Sequence, residues 1–138
     1  MALIETSIQV NSPSEKVWEI VSDIDNEPKF WKGTKEVRNI SKEDNIVIRE
    51  IIIAFRDQKC LQEVTMYPKQ KIVAIFKEGI ISGSKTIQLT PLENQTRLEV
   101  KWDIQLTGIM SMFTGMIKKH IKSGTDLALQ SIKEELER

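Results

Sequence analysis

Cysteine and histidine each occur once in this chain, as Cys60 and His120. A lone thiol makes no disulfide framework, so a reducing compartment, the cytoplasm, is expected. One imidazole and one thiol do not build a His/Cys zinc site, and no metal is expected. Excess charge of either sign is missing too: 20 Lys+Arg balance 20 Asp+Glu. A dedicated nucleic-acid binder carries a basic excess, so that class is set aside. Long apolar runs are missing as well. The longest uncharged stretch, Ile104 to Ile117, falls short of the ~20 residues that span a bilayer. The opening MALIETSIQV has no basic segment ahead of an apolar one and does not read as a signal peptide. No phosphate loop is present, because Gly79 and Gly83 flank Ile80-Ile81-Ser82 without the required spacing. No serine nucleophile elbow is found. No catalytic set and no cofactor is expected.

What is present is an ordinary globular composition, 138 residues with 40% hydrophobic and 29% charged, the size of one domain over 1–138. Ile4, Thr6, Ile8 and Val10 alternate with polar neighbours and predict a first strand. Ser12 as N-cap, Pro13 at the first helical position and Glu15 closing a capping box predict a helix with the stripe Val17, Ile20, Val21, Ile24. Pro28 ends it, and Lys29 to Lys32 form a second short turn. From Val37 to Leu106 the period is two. Strands are expected around 35–40, 46–55, 60–67, 71–77, 85–90 and 96–106, and links this short imply antiparallel neighbours. After Gly108 the helical period returns through Phe113, Met116, Ile117, His120, Ile121, Gly124, Leu127, Ala128, Ile132 and Leu136. A sheet with one apolar face needs a cover, and this long helix is the obvious one.

Three pieces carry a family resemblance: IQVNSPSEKVWEIVSDIDNEPKFWKGTKEV, KTIQLTPLENQTRLEVKW and the terminal amphipathic helix. With this element order, the chain resembles the START-like (SRPBCC) superfamily, the helix-grip or birch-pollen-allergen fold. It is most similar to the polyketide cyclase/dehydrase and lipid transport members. The resemblance implies an α+β fold, a seven-stranded antiparallel sheet curved around a long C-terminal helix, with one or two short helices after strand 1. It also implies an apolar cavity between them. Such proteins bind lipids, quinones, polyketides or hormones, some as enzymes, and fold alone does not choose among these.

A two-residue turn at Asp57-Gln58 would pair Arg56 with Lys59, Ile53 with Gln62, Ile51 with Val64 and Arg49 with Met66. One face then collects Val47, Arg49, Ile51, Ile53, Phe55, Cys60, Gln62, Val64 and Met66, and is placed inward as the more apolar. Ile72, Ala74 and Phe76 extend it. Arg49 and Gln62 thus point inward, where a buried Arg needs a partner. A ligand carboxylate, phosphate or carbonyl would serve; so would Asp23 or Asp25, or water at the sheet rim. His120 is either a polar contact for ligand, or a general base, or a partly exposed helix residue beside Lys118, Lys119 and Lys122. Cys60 reads as a packing residue. Trp31 is expected at the cavity edge.

The stretch GIMSMFTGMIKKHIKSG holds three of the five Met residues. Met suits surfaces that adapt to variable partners. Met110 and Met112, with Ile80 and Ile81, read as a flexible apolar gate, with Phe113 and Met116 beside it. It would admit a greasy ligand or touch a membrane transiently, its lysines near anionic headgroups; plain core packing and a dimer contact are the simpler readings. The ligand-binding set is Arg49, Ile51, Ile53, Gln62, Val64, Phe76, Trp102, Phe113, Met116, Ile117 and His120. The expected function is binding and transport of a hydrophobic small molecule by a monomer or homodimer. The alternatives are a cyclase or dehydratase using Arg49, His120 or Tyr67, and a protein-interaction module.

Overall fold

The computed structural model describes residues 2–138. Its order is β1 (Ala2–Val10), α1 (Ser14–Val21), a 3₁₀ segment (Ile24–Lys29), β2 (Thr34–Glu43), β3 (Ile46–Ile53), a 3₁₀ turn (Phe55–Asp57), β4 (Lys59–Tyr67), β5 (Lys71–Glu78), β6 (Ile81–Pro91), β7 (Thr96–Leu106), a 3₁₀ segment (Gly108–Phe113) and α2 (Thr114–Leu136). The seven strands form one antiparallel sheet in the order β1-β7-β6-β5-β4-β3-β2. This is the expected α+β helix-grip architecture. In β7, Leu98, Val100, Ile104 and Leu106 are buried while Arg97, Lys101 and Gln105 are exposed, so strict alternation gives one apolar face for α2 to cover.

Several local expectations are corrected. Pro13, not Ser12, is the N-cap of α1, and no side chain caps it. Ser12 is buried and its carbonyl accepts from Thr96 Oγ1 at 2.9 Å, while Glu15 pairs with Lys69 instead of closing a capping box. The second helical turn starts earlier than Lys29, at Ile24, and carries Pro28 inside it. The β3–β4 link is longer than two residues. Arg56 and Asp57 take left-handed backbone (φ 56° and 52°), and Ile53 N–H donates to Gln58 O at 2.9 Å. Ile51 therefore faces Cys60, not Val64, and Arg49 faces Gln62, not Met66. The slip is even, so the side chains stay on the predicted face. Gly79 to Gly83 is not a loop, because β6 begins at Ile81. Gly83 lies inside that strand at φ 117°, where a Cβ would come within 2.0 Å of Asp103 O, so only glycine fits.

On α2 the buried positions are Ile117, Thr125, Ala128, Leu129 and Ile132. Leu127, expected in the stripe, is 63% exposed. Met116, also expected there, is 46% exposed. Two apolar clusters result. One joins Val10, Val17, Leu98, Val100, Ala128, Leu129 and Ile132. The other joins Ile51, Cys60, Phe76, Ile81, Ile104, Leu106 and Ile117.

Candidate functional site: a cavity over a buried charge cluster

Between the sheet and α2 lies a cavity of ≈ 380 Å³, within the usual range for small-molecule sites. Its floor is the inward face of β3 to β7: Arg49, Ile51, Ile53, Gln62, Val64, Ile72, Ala74, Phe76, Ile81, Lys85, Ile87 and Trp102. Ile117, His120, Ile121 and Gly124 of α2 roof it, and Glu27, Phe30 and Trp31 close one side. The exposed members of the lining, Asp23, Asn26, Gly33, Ala54 and His120, mark its rim.

The polar part of the wall is built on Arg49, only 2% exposed. Its Nε donates to Gln62 Oε1 (2.9 Å), Nη1 to Ile24 O (3.1 Å) and Nη2 to Glu27 Oε1 (2.6 Å). Glu27 Oε2 accepts from Thr34 Oγ1 at 2.6 Å. The partner of Arg49 is thus neither a rim water nor Asp23 or Asp25. Asp23 accepts from Asn26 and Asp25 from Asn39. Burial pushes the Glu27 carboxyl up, but Lys85, Arg49 and the Thr34 hydroxyl together outweigh it, so its pKa is lowered and it stays ionised.

The second buried cation is Lys85, 6% exposed. Its ammonium sits 3.3 Å from the Trp31 ring centroid and 4.9 Å from that of Trp102, a cation–π seat. Burial lowers its pKa to about 8, with Glu27 opposing and Arg49 adding to the shift. The Trp102 indole donates to Thr125 Oγ1 at 3.0 Å, and its ring stacks near Phe76 at 6.3 Å between centroids. These contacts tie the Lys85 platform to α2.

Of the residues expected to contact ligand, Arg49, Ile51, Ile53, Gln62, Val64, Phe76, Trp102, Ile117 and His120 line the cavity, whereas Phe113 and Met116 do not. Both project from the start of the helical region, 37% and 46% exposed. The proposed gate also divides. Ile81 is buried in the wall, and Ile80 and Met110 pack on the second core cluster. Met112 is exposed, as is Ile109, which the sequence reading passed over. Tyr67 is exposed at the end of β4 and lies outside the cavity. Cys60 is buried, and burial pushes its thiol pKa up against backbone N–H donors from Ile81 and Ile80; this is a packing residue. Trp31 lies in the wall, deeper than an edge. Glu27 and Lys85 were missed. Lys85 had a signal, since it alternates into the same face as Ile87 and Leu89.

A seven-stranded antiparallel sheet gripping one long helix over an internal cavity defines the START-like, helix-grip class. The chain belongs to the polyketide cyclase/dehydrase and lipid transport family, whose model matches residues 1–137. Solved structures agree. The Zhui aromatase/cyclase from Streptomyces sp. R1128 superposes with a TM-score of 0.86 at 15% identity, covering 99% of this chain and 94% of that one. A protein from Thermus thermophilus gives 0.83 at 13% identity over 98% and 97%. A START superfamily protein from Mycobacterium smegmatis gives 0.77 at 17% over 98% and 97%. At such identities the likeness is one of fold. No curated protein sequence matches the chain. Among the described residues no helix is long and apolar enough to cross a membrane, and no cluster of metal-ligating side chains occurs.

Proposed function

We propose that this protein binds one hydrophobic small molecule in the cavity and carries it between apolar sources and acceptors. The observation that carries the reading is the cavity itself, ≈ 380 Å³ with apolar walls and a few convergent polar groups at one side. Binding free energy would come mainly from apolar burial, with the polar side fixing orientation. Exchange would run through the start of the helical region, where Ile109 and Met112 are 89% and 79% exposed. The exposed Lys118, Lys119 and Lys122 follow on α2, a pattern suited to brief contact with an anionic lipid surface.

A second reading, a cyclase-type enzyme, is favoured by the aromatase/cyclase among the similar structures and by a buried amine beside a carboxylate in the cavity wall. The carrier reading is tested by native mass spectrometry of freshly purified protein, followed by solvent extraction. A discrete excess mass that extracts as an apolar compound is expected. Gly124 lines the cavity, and a Cβ built there meets nothing within 4 Å. Gly124→Leu should therefore fill the space, fold normally and carry no excess mass. A clean apo mass in the wild type, with no shift on adding lipids and quinones, sinks the carrier reading.

A further inference from the structure

The two buried cations differ in what they still need. Arg49 is met by Gln62, Ile24 and Glu27, and Glu27 spends its oxygens on Arg49 and Thr34. Lys85 has no hydrogen-bond or ion-pair partner among the described residues, and no fully enclosed side-chain N or O lacks one, so its ammonium is not fully enclosed. Its ammonium reaches cavity space. Among the buried side chains of the wall two cations face one carboxylate, while the other lining carboxylate, Asp23, is exposed at the rim and accepts from Asn26, so the buried part holds one positive charge without a counter-charge. Trp31 and Trp102 hold the ammonium by their rings and offer it no acceptor oxygen. A buried charge in this state is completed by an opposite one.

We propose that Lys85 is the anion-binding group of the cavity, and that the ligand is an apolar molecule bearing a single acidic group, a carboxylate, seated on the Lys85 ammonium. This rests on the hydrophobic-ligand reading and names the class of ligand within it. A monoanion neutralises the buried part of the wall, whereas a dianion such as a phosphate monoester would leave a fresh negative charge beside Glu27. The charged groups that face Lys85 are Glu27 from the 3₁₀ segment and Arg49 from β3, with His120 of α2 and Asp23 elsewhere on the same lining.

The test is calorimetric titration at pH 7 with decanoic acid, decan-1-ol and decylamine, which share a chain and differ in head group. Charge-assisted hydrogen bonds in a water-poor site predict that wild type binds the acid at least ~tenfold more tightly than the alcohol, and the amine more weakly than either. Lys85→Met should bind acid and alcohol alike while keeping the alcohol affinity; Lys85→Gln should behave the same way if the Met variant folds poorly. Equal binding of acid and alcohol to wild type overturns the proposal and leaves the apolar-carrier reading standing. Acid preference that survives in both variants overturns it by placing the anion site elsewhere. Binding of none of the three probes overturns both.

Discussion

The Arg49 wall and the Lys85 wall of one cavity solve the same problem in opposite ways. On β3 the guanidinium is built into a closed network, with a carbonyl, an amide oxygen and a carboxylate all within 3.1 Å. On β6 the ammonium rests on two indole faces with its donors open to the cavity. The planar fork of Arg suits the first arrangement and the compact, titratable charge of Lys suits the second. The difference separates what holds the fold from what is left for a guest.

Breaking the closed side should cost most. Arg49→Met leaves Gln62 Oε1, Ile24 O and Glu27 Oε1 without their donor in the buried wall, and removing one partner of a buried pair costs about 3–5 kcal/mol, read as a large fall in the urea midpoint. A loss below ~1 kcal/mol would mean that the network is not structural. Breaking the open side should do the reverse. Lys85 titrates near 8 in the folded chain against 10.5 for a free lysine. Below pH 8 both states hold the proton, and the burial penalty is fully present. Between pH 8 and 10.5 the folded chain sheds it first, so wild-type stability rises with pH; above that the penalty is gone. Lys85→Met should therefore stabilise the ligand-free protein by on the order of 1–3 kcal/mol at pH 7, with the gain shrinking as pH climbs toward 10.5. A destabilised Lys85→Met with intact secondary structure would show that the ammonium is a structural partner of Glu27. The smallest stability effect belongs far from both walls. Ile109→Ser with Met112→Ser should change stability by less than ~0.5 kcal/mol yet slow transfer of a bound fluorescent fatty acid to anionic vesicles. Unchanged transfer would remove this surface from the exchange route.

Much of the cavity was legible in the sequence because alternation is insensitive to even errors. Misplacing the β3–β4 pairing still sent Arg49, Ile51, Gln62 and Val64 to the correct face. The same alternation places Lys85 with Ile87 and Leu89; it was overlooked because Lys is rarely buried. Glu27 was not legible. It sits in a 3₁₀ segment containing Pro28, with non-helical backbone at Asn26, where no period says which way a side chain turns. Only the need of Arg49 for a counter-charge pointed to it. Phe113 was misplaced because it lies in the 3₁₀ segment ahead of α2, and Met116 because it is on the exposed flank of a stripe whose members Ile117, Ala128 and Ile132 are buried as read.

One of the two edge strands, β2, carries two register irregularities against β3, at Thr34/Glu36 and Asn39/Ser41. Its outer positions are largely exposed and include Lys35, Glu36, Arg38, Lys42 and Glu43. A sheet that does not close into a barrel leaves such a margin unpaired. Here the backbone donors and acceptors fall out of step with any straight strand, and charges stand along the border. A neighbouring chain cannot zip onto that border in continuous register. That edge of the open sheet is thereby guarded against the addition of a further strand.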